Sequence, residues 1–359
     1  MDGAAQPAPF DRATFDHARA LADWRAQFDA AARHHGETRL DIVLAGERVR
    51  VRIVGEALAA AMLPALRHLT AAGDGPPALT ICACDGRETG LRPAYADDSR
   101  SRVENDQTFV VGERRFVAVQ DHPISSVYGC DRDAALALYW ARDVDSVPTW
   151  KRCKPFLLLF HWFLLDRSWQ PVHAAAVGGR DGGVVIVGRS GAGKSTTALA
   201  CARAGWRFAG DDYVLVGADP APRAAPLYAS ARLRADMAGR MPEFAGARFA
   251  TSIANGFEKS DLVLAGAECG IAFGGFPVSA VLLPRLSADG RTALHRAAPA
   301  AAMRILAPST LSVLRGGAPA AFRKIADFVG RLPAFHLELG PDLDAIPALL
   351  AREFAIDIG

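Results

Sequence analysis

Apolar and polar residues alternate through LDIVLAGERVRVRIVG, residues 40–55, on either side of Ala45-Gly46-Glu47. Period two around a glycine-bearing break predicts a β-hairpin. Ahead of it, Phe15, Ala18, Leu21, Ala22 and Phe28 recur at helical spacing and predict a helix within residues 10–35. Residues 56–72 predict another helix, stopping near Gly73. ALTICAC, from Ala78, predicts a strand, and TFVVGERRFVAVQD, from Thr108, predicts a second hairpin turning near Gly112-Glu113. DRDAALALYWARDV reads as a helix capped by Asp131. It leads into an apolar helix at 150–166, whose centre PFLLLFHWFLL (155–165) falls well short of the ~20 residues a membrane helix needs. A buried helix is expected there, with His161 as a hydrogen-bonded core residue.

From His173 the texture changes to short, wholly apolar runs set between glycines. HAAAVGG and GGVVIVG predict buried strands, residues 194–204 a helix ending at Gly205, and YVLVG another strand after Asp211-Asp212. Residues 218–226 read as a Pro/Ala-rich loop and 239–276, rich in glycine, as irregular and mobile. VSAVLLP (278–284) predicts a buried strand, 298–308 and 318–331 helices, FHLEL (335–339) a strand and 342–355 a closing helix. Buried strands alternating with helices predict an α/β domain over 151–359, preceded by an α+β domain over 1–150.

Composition narrows the function classes. Half of the 359 residues are apolar and the net charge is +2, with arginines spread along the chain. That balance gives no reason to expect a nucleic-acid or membrane-surface partner. The six cysteines (82, 84, 130, 153, 201 and 269) include no CxxC pair and read as free thiols. Cys82 and Cys84 alternate along one strand and point to one face, where core packing is expected over a metal pair. The first residues, Ala- and Pro-rich and expected to be mobile, lack the basic-then-apolar pattern of a secretory leader, so a cytoplasmic chain is expected.

The chemistry sits in GRSGAGKST, residues 188–196, between an apolar strand and a helix start. Gly188, Gly193, Lys194 and Ser195 fit G-x-x-x-x-G-K-[ST]. In such a loop, backbone amides from Ser190 to Thr196, among them Gly191 and Ala192, turn inward around phosphate oxygens. The helix N-terminus faces the same anion, Lys194 reaches the outer phosphates and Ser195 offers its hydroxyl to magnesium. Asp211 and Asp212 follow WRFAG at a strand's carboxyl end, where ligands of open α/β sheets bind. One can hold magnesium and the other take or orient the proton of an attacking hydroxyl, Asp211 and Asp212 being interchangeable in these roles. Alternatively the second is a solvated turn residue. His173 starts the HAAAV strand. A hairpin through Gly178–Gly183 would carry it to the phosphate end; otherwise it is a structural histidine.

The stretch from Val172 to Val216 resembles the catalytic core of bacterial HPr kinase/phosphorylase: His173, Gly182-Gly183, the loop from Gly188 to Ser195, Ala198-Leu199, Ala204-Gly205-Trp206 and Asp211-Asp212 follow that family's order, ungapped from loop to aspartates. Thr196 and Ala174 stand where the family has Glu and Gly. The likeness extends to divergent relatives such as the kinases that phosphorylate a serine of lasso-peptide precursors. The resemblance implies a core related to phosphoenolpyruvate carboxykinases, ATP and Mg²⁺ as cofactors with Lys194, Ser195 and the aspartates around them, His173 near the transfer site, transfer to a serine hydroxyl, and a homo-oligomer. A small-molecule hydroxyl acceptor, or a nucleotide-dependent switch without catalysis, stays open beside it.

Arg232 and Arg234 alternate in SARLRAD and could clamp phosphate or form a solvated strand face. Lys259 lies in the glycine-rich segment and could close over a γ-phosphate. Arg285, after VLLP, could face the same cleft.

Overall fold

The computed structural model describes residues 16–96, 107–111, 114–120, 125–254, 257–264 and 270–357. The expected turn at Gly112-Glu113, the first fifteen residues and Cys269 lie outside them. The first hairpin forms as its alternation requires. Strands β1 (Thr38–Leu44) and β2 (Glu47–Val54) pair antiparallel with Leu44 opposite Glu47. Ala45 and Gly46 turn between them at φ 54° and 85°, the pair of left-handed residues that a two-residue turn between twisted strands demands. Ile42, Leu44, Val49, Val51 and Ile53 are buried, while Asp41 on the other face holds Arg48 and Arg50.

The chain divides into two compact units, one of Met1–Leu63 with Ala71–Pro148, the other of Pro64–Thr70 with Thr149–Gly359. In the first, helix α1 (His17–His35), capped by Asp16, buries Leu21, Trp24 and Phe28. They pack in one cluster with Cys82, Cys84, Val117, Val127 and Trp140 from the sheet. The sheet has seven strands, ordered β1-β2-β3-β7-β6-β5-β4, with β3 at Leu79–Asp85, β4 at Gln107–Val111, β5 at Arg115–Gln120, β6 at Ser126–Asp131 and β7 at Leu136–Ala141. Helix α2 (Glu56–Met62) passes into a 3₁₀ turn over Leu63–Leu69. The α-helix therefore stops ten residues before the position expected; Pro64, which lacks an amide hydrogen, ends it. A single turn, α3 (Gly86–Thr89), follows β3.

The largest departure from the sequence reading is at 131–144, which is no helix. Asp131 Oδ1 accepts the amides of Asp133 and Ala134 at 3.0 and 3.2 Å, capping a turn rather than a helix. The residues after it form β7, between β3 and β6. LALYWA is buried at every position, so no alternation distinguishes it from a buried helix.

The second unit opens with two short helices, α4 (Thr149–Arg152) and α5 (Leu157–Phe163), where one was expected; Pro155 separates them. No helix among the described residues is long and apolar enough to cross a membrane. A six-stranded sheet follows, ordered β11-β9-β10-β18-β20-β19, with β9 at Ala175–Gly178, β10 at Gly183–Ile186, β11 at Arg207–Gly210, β18 at Ala280–Leu286, β19 at Ala293–Ala297 and β20 at Ala334–Leu339. It is covered on both faces. Val184 and Ile186 point toward α6 (Lys194–Arg203) and α10 (Ala345–Phe354). Val185 and Val187 point toward α8 (Pro299–Leu311) and α9 (Ala318–Gly330). Burial on both faces is why these strands read as unbroken apolar runs. The fold is thus mixed α/β, with parallel and antiparallel pairing in one sheet.

Two smaller sheets complete the unit. One joins β8 (Trp169–Val172), β12 (Val214–Gly217), β13 (Arg223–Ala225) and β17 (Phe276–Pro277), so the expected loop at 218–226 contains a short strand. The other joins β14 (Ser230–Arg234), β15 (Arg248–Ala254) and β16 (Phe257–Val263), with the turn α7 (Ala235–Ala238) following β14. Much of the segment read as irregular is therefore a strand hairpin. Its described glycines lie before β15 and after β16, so their number describes the flanks.

The described cysteines are buried and free. His161 is fully buried, with Nε2 against the Gly316 carbonyl at 2.7 Å and Nδ1 against Gln170. Burial lowers its pKa to about 4, and does the same to His68, whose ring nitrogens have no hydrogen-bond partner. Above the ordinary histidine pKa both states are neutral. Below it the unfolded chain takes up protons that the folded rings refuse until about pH 4. Stability is therefore present near neutrality and falls between about pH 6.5 and 4. Thermal melts across that range should show a steady fall in Tm, reduced when His161 is replaced by glutamine.

Candidate functional site

The Gly178–Gly183 segment reverses the chain, so β9 and β10 pair antiparallel with Gly178 opposite Gly183, and the Gly179 amide donates to the Gly182 carbonyl at 2.8 Å. The start of β9 and the end of β10 therefore share one edge of the sheet, and β11, antiparallel to β9, ends there too. Topology alone thus delivers His173, the glycine loop and Asp211-Asp212 to the same place. They meet at a cavity of about 350 Å³.

The loop turns directly into α6. Gly193 caps that helix at φ 105°, a left-handed conformation costly for any residue with a Cβ. A Cβ there would also approach Leu339 Cδ1 to 2.3 Å. Gly193→Ala should lower stability by about 1–3 kcal/mol, which a thermal melt checks.

Ser190, Gly191, Gly193, Lys194, Ser195 and Thr196 line the cavity, whereas Gly188 and Ala192 do not. Gly188 serves from behind: its carbonyl accepts from Lys194 Nζ at 2.7 Å. Burial lowers the Lys194 pKa, and the negative charges of Asp211 and Asp212 oppose that shift.

The two aspartates have different surroundings. Asp211 is almost wholly buried and stands behind the cavity wall. Its Oδ2 accepts the Arg232 amide at 3.0 Å, and its Oδ1 has no hydrogen-bond partner. Burial raises its pKa, as does Asp212, while Ser195, the Arg232 amide and Lys194 pull the other way. Asp212 takes φ 70°, a left-handed turn that aspartate tolerates, and lines the cavity. Its Oδ1 meets His173 Nε2 at 3.0 Å and its Oδ2 is ion-paired with Lys154 Nζ. Burial alone would raise its pKa; the Lys154 charge and the His173 bond instead hold it well below the usual carboxylate range.

His173 is fixed from three sides. Besides Asp212, its ring stacks on Tyr213 with centroids 5.3 Å apart, and its amide donates to Thr310 Oγ1 at 3.0 Å. Lys154 lies over the rings of Trp150 and Tyr213, at 5.2 and 5.6 Å.

Arg232, Arg234 and Lys259 all line the cavity. Arg232 Nε also binds the buried Asp261 at 2.8 Å, Arg234 binds Asp236, and Lys259 Nζ donates to Ser190 Oγ at 3.1 Å, tying β16 to the glycine loop. Arg285 does not line the cavity; it pairs with Glu338 at 2.7 Å, because it points out of the sheet beside β20.

Lys154, immediately before the apolar run that starts at Pro155, is not among the residues the sequence singles out. Its one signal is a lysine set against PFLLLF, since a buried lysine requires an anionic partner. Arg240 and an apolar wall of Leu286, Leu339, Leu343 and Ile346 also line the cavity unforeseen.

Among the described residues no three His, Cys, Asp or Glu side chains are grouped to hold a metal. Ser195 and Asp211 nonetheless fit magnesium. They offer hard oxygen donors, one of them the unpartnered, buried Oδ1 of Asp211, and magnesium usually takes only one or two protein ligands. No family model matches the chain, and no curated protein matches it.

Proposed function

We propose that the second unit is an ATP- and magnesium-dependent kinase with an HPr-kinase-like core, transferring the γ-phosphoryl group to a hydroxyl, most simply a serine of a peptide or protein. The observation that carries this reading is the meeting of Lys194, Ser195 and the Lys154–Asp212–His173 chain at one cavity. A switch needs the loop but has no use for an ionised carboxylate held against a histidine beside it.

The loop amides and the N-terminus of α6 bind the phosphates, and Lys194 offsets charge on the outer ones. Ser195 and Asp211 would hold magnesium, which would supply positive charge to the transferring group. Lys154 keeps Asp212 ionised. Asp212 fixes the His173 ring, and the Asp212–His173 pair orients the acceptor hydroxyl and takes its proton. Lys259 and Arg232 stand beside the loop as further positive charge for the same group. A cytoplasmic setting and a homo-oligomer accompany the reading.

The test is transfer of label from γ-labelled ATP, with magnesium, to HPr, a panel of serine-bearing peptides and a fractionated small-molecule extract. The reading expects one class to become labelled, and only with magnesium. ATP bound without any labelled acceptor favours the switch, and a labelled metabolite moves the acceptor to small molecules.

A further inference from the structure

The order of the six-stranded sheet gives the cavity two unlike ends. Asp211 and Asp212 follow β11, and His173 precedes β9, both on one side of β10. Leu286 ends β18 and Leu339 ends β20, both on the other side. From β11 to β20 is four strand spacings, about 19 Å. The glycine loop, leaving β10, lies between. The far side carries the apolar part of the lining: Leu286, Leu339, Leu343 and Ile346, with Met237 also in the cavity wall. Leu286 is 80 % exposed, by far the most exposed large apolar side chain among the described residues. An apolar side chain left open at a cavity's lip suits a flat apolar ligand.

A triphosphate on the loop must present its γ end to Asp212 and His173. A nucleoside extending away from that end reaches the apolar side. Three polar groups there already have partners: Arg234 pairs with Asp236, Arg240 donates to the Pro341 carbonyl, and the Gly340 amide donates to Thr292 Oγ1. Resting on the kinase reading, we propose that this wall takes the purine of the phosphoryl donor by shape and apolar contact rather than by its hydrogen-bonding edge, so that adenine and guanine nucleotides both serve as donors. Strong discrimination between bases comes from sites built to pair with the differing groups; apolar walls discriminate weakly.

Titration of the intact chain with Mg–ATP, Mg–GTP and inorganic tripolyphosphate tests this. ATP and GTP should bind within about fivefold of each other and at least about tenfold more tightly than tripolyphosphate. Leu286→Ala, at an exposed position that cannot endanger folding, should weaken both nucleotides about three- to tenfold and leave tripolyphosphate unchanged. Preference for one base by a hundredfold, or equal affinity of nucleotides and tripolyphosphate, overturns the proposal while leaving the kinase reading standing. Failure of tripolyphosphate and nucleotides alike to bind overturns both.

Discussion

Lys194→Ala should lower kcat/KM for phosphoryl transfer by about a thousandfold while leaving the fold intact. The Lys194 side chain is 8 % exposed and its ammonium is held by the Gly188 and Arg189 carbonyls. Those bonds hold it without a direct ion pair, although the charges of Asp211 and Asp212 act on it. Truncation therefore removes the cation expected nearest the phosphates and breaks no direct ion pair, while the buried Asp211 shifts further toward its neutral form. The loss should appear in both ATP affinity and turnover, because charge on the outer phosphates is present in the ground state and redistributes during transfer. A thermal melt within a few degrees of wild type, alongside the lost activity, separates this outcome from unfolding. A variant retaining a tenth of wild-type turnover would remove Lys194 from the mechanism.

Asp212→Asn should be costly twice. Turnover should fall about a hundred- to ten-thousandfold, because the group that orients His173 and shares its proton is neutralised, while ATP affinity changes less than about threefold. Stability should also fall by about 3–5 kcal/mol, since Lys154 is then left buried without its anion. The two effects can be taken apart. In the double variant Asp212→Asn with Lys154→Met the unpaired ammonium is gone, so much of the stability should return and none of the turnover. Coupling between residues in one network is what such a cycle measures. Recovery of turnover in the double variant would show that Asp212 matters only for packing around Lys154.

The parts of this architecture that were legible beforehand share a physical reason. The first hairpin keeps one face in contact with charged partners, so its alternation survives in the sequence. The glycine loop and the aspartate pair lie close along the chain, and each residue type is dictated by the phosphate and metal chemistry expected there. His173 needed one more step, the reversal at Gly178–Gly183, which the glycines announced. Strand β7 was misread because burial on both faces erases periodicity. The β15–β16 hairpin was misread because flanking glycines were counted as interior ones. Lys154 lies 58 residues from Asp212, and no local pattern marks a lysine whose partner is that distant. The apolar wall of the cavity was invisible for the opposite reason: Leu339, Leu343 and Ile346 resemble every other core residue until the sheet order places them beside the loop.

The proposed reaction passes a phosphoryl group from ATP to a hydroxyl at this cavity. It is tested most directly by the stability of the labelled product formed from γ-labelled ATP. A phosphate ester of a hydroxyl survives both acid and hydroxylamine, whereas phosphate on a histidine is lost in acid and phosphate on a carboxylate is lost to hydroxylamine. A hydroxyl kinase should give label stable to both treatments, recovered as phosphoserine from a peptide or protein acceptor, formed by the wild type and not by Lys194→Ala. Label lost to either treatment, or release of free phosphate with no labelled acceptor in the entire panel, would contradict it.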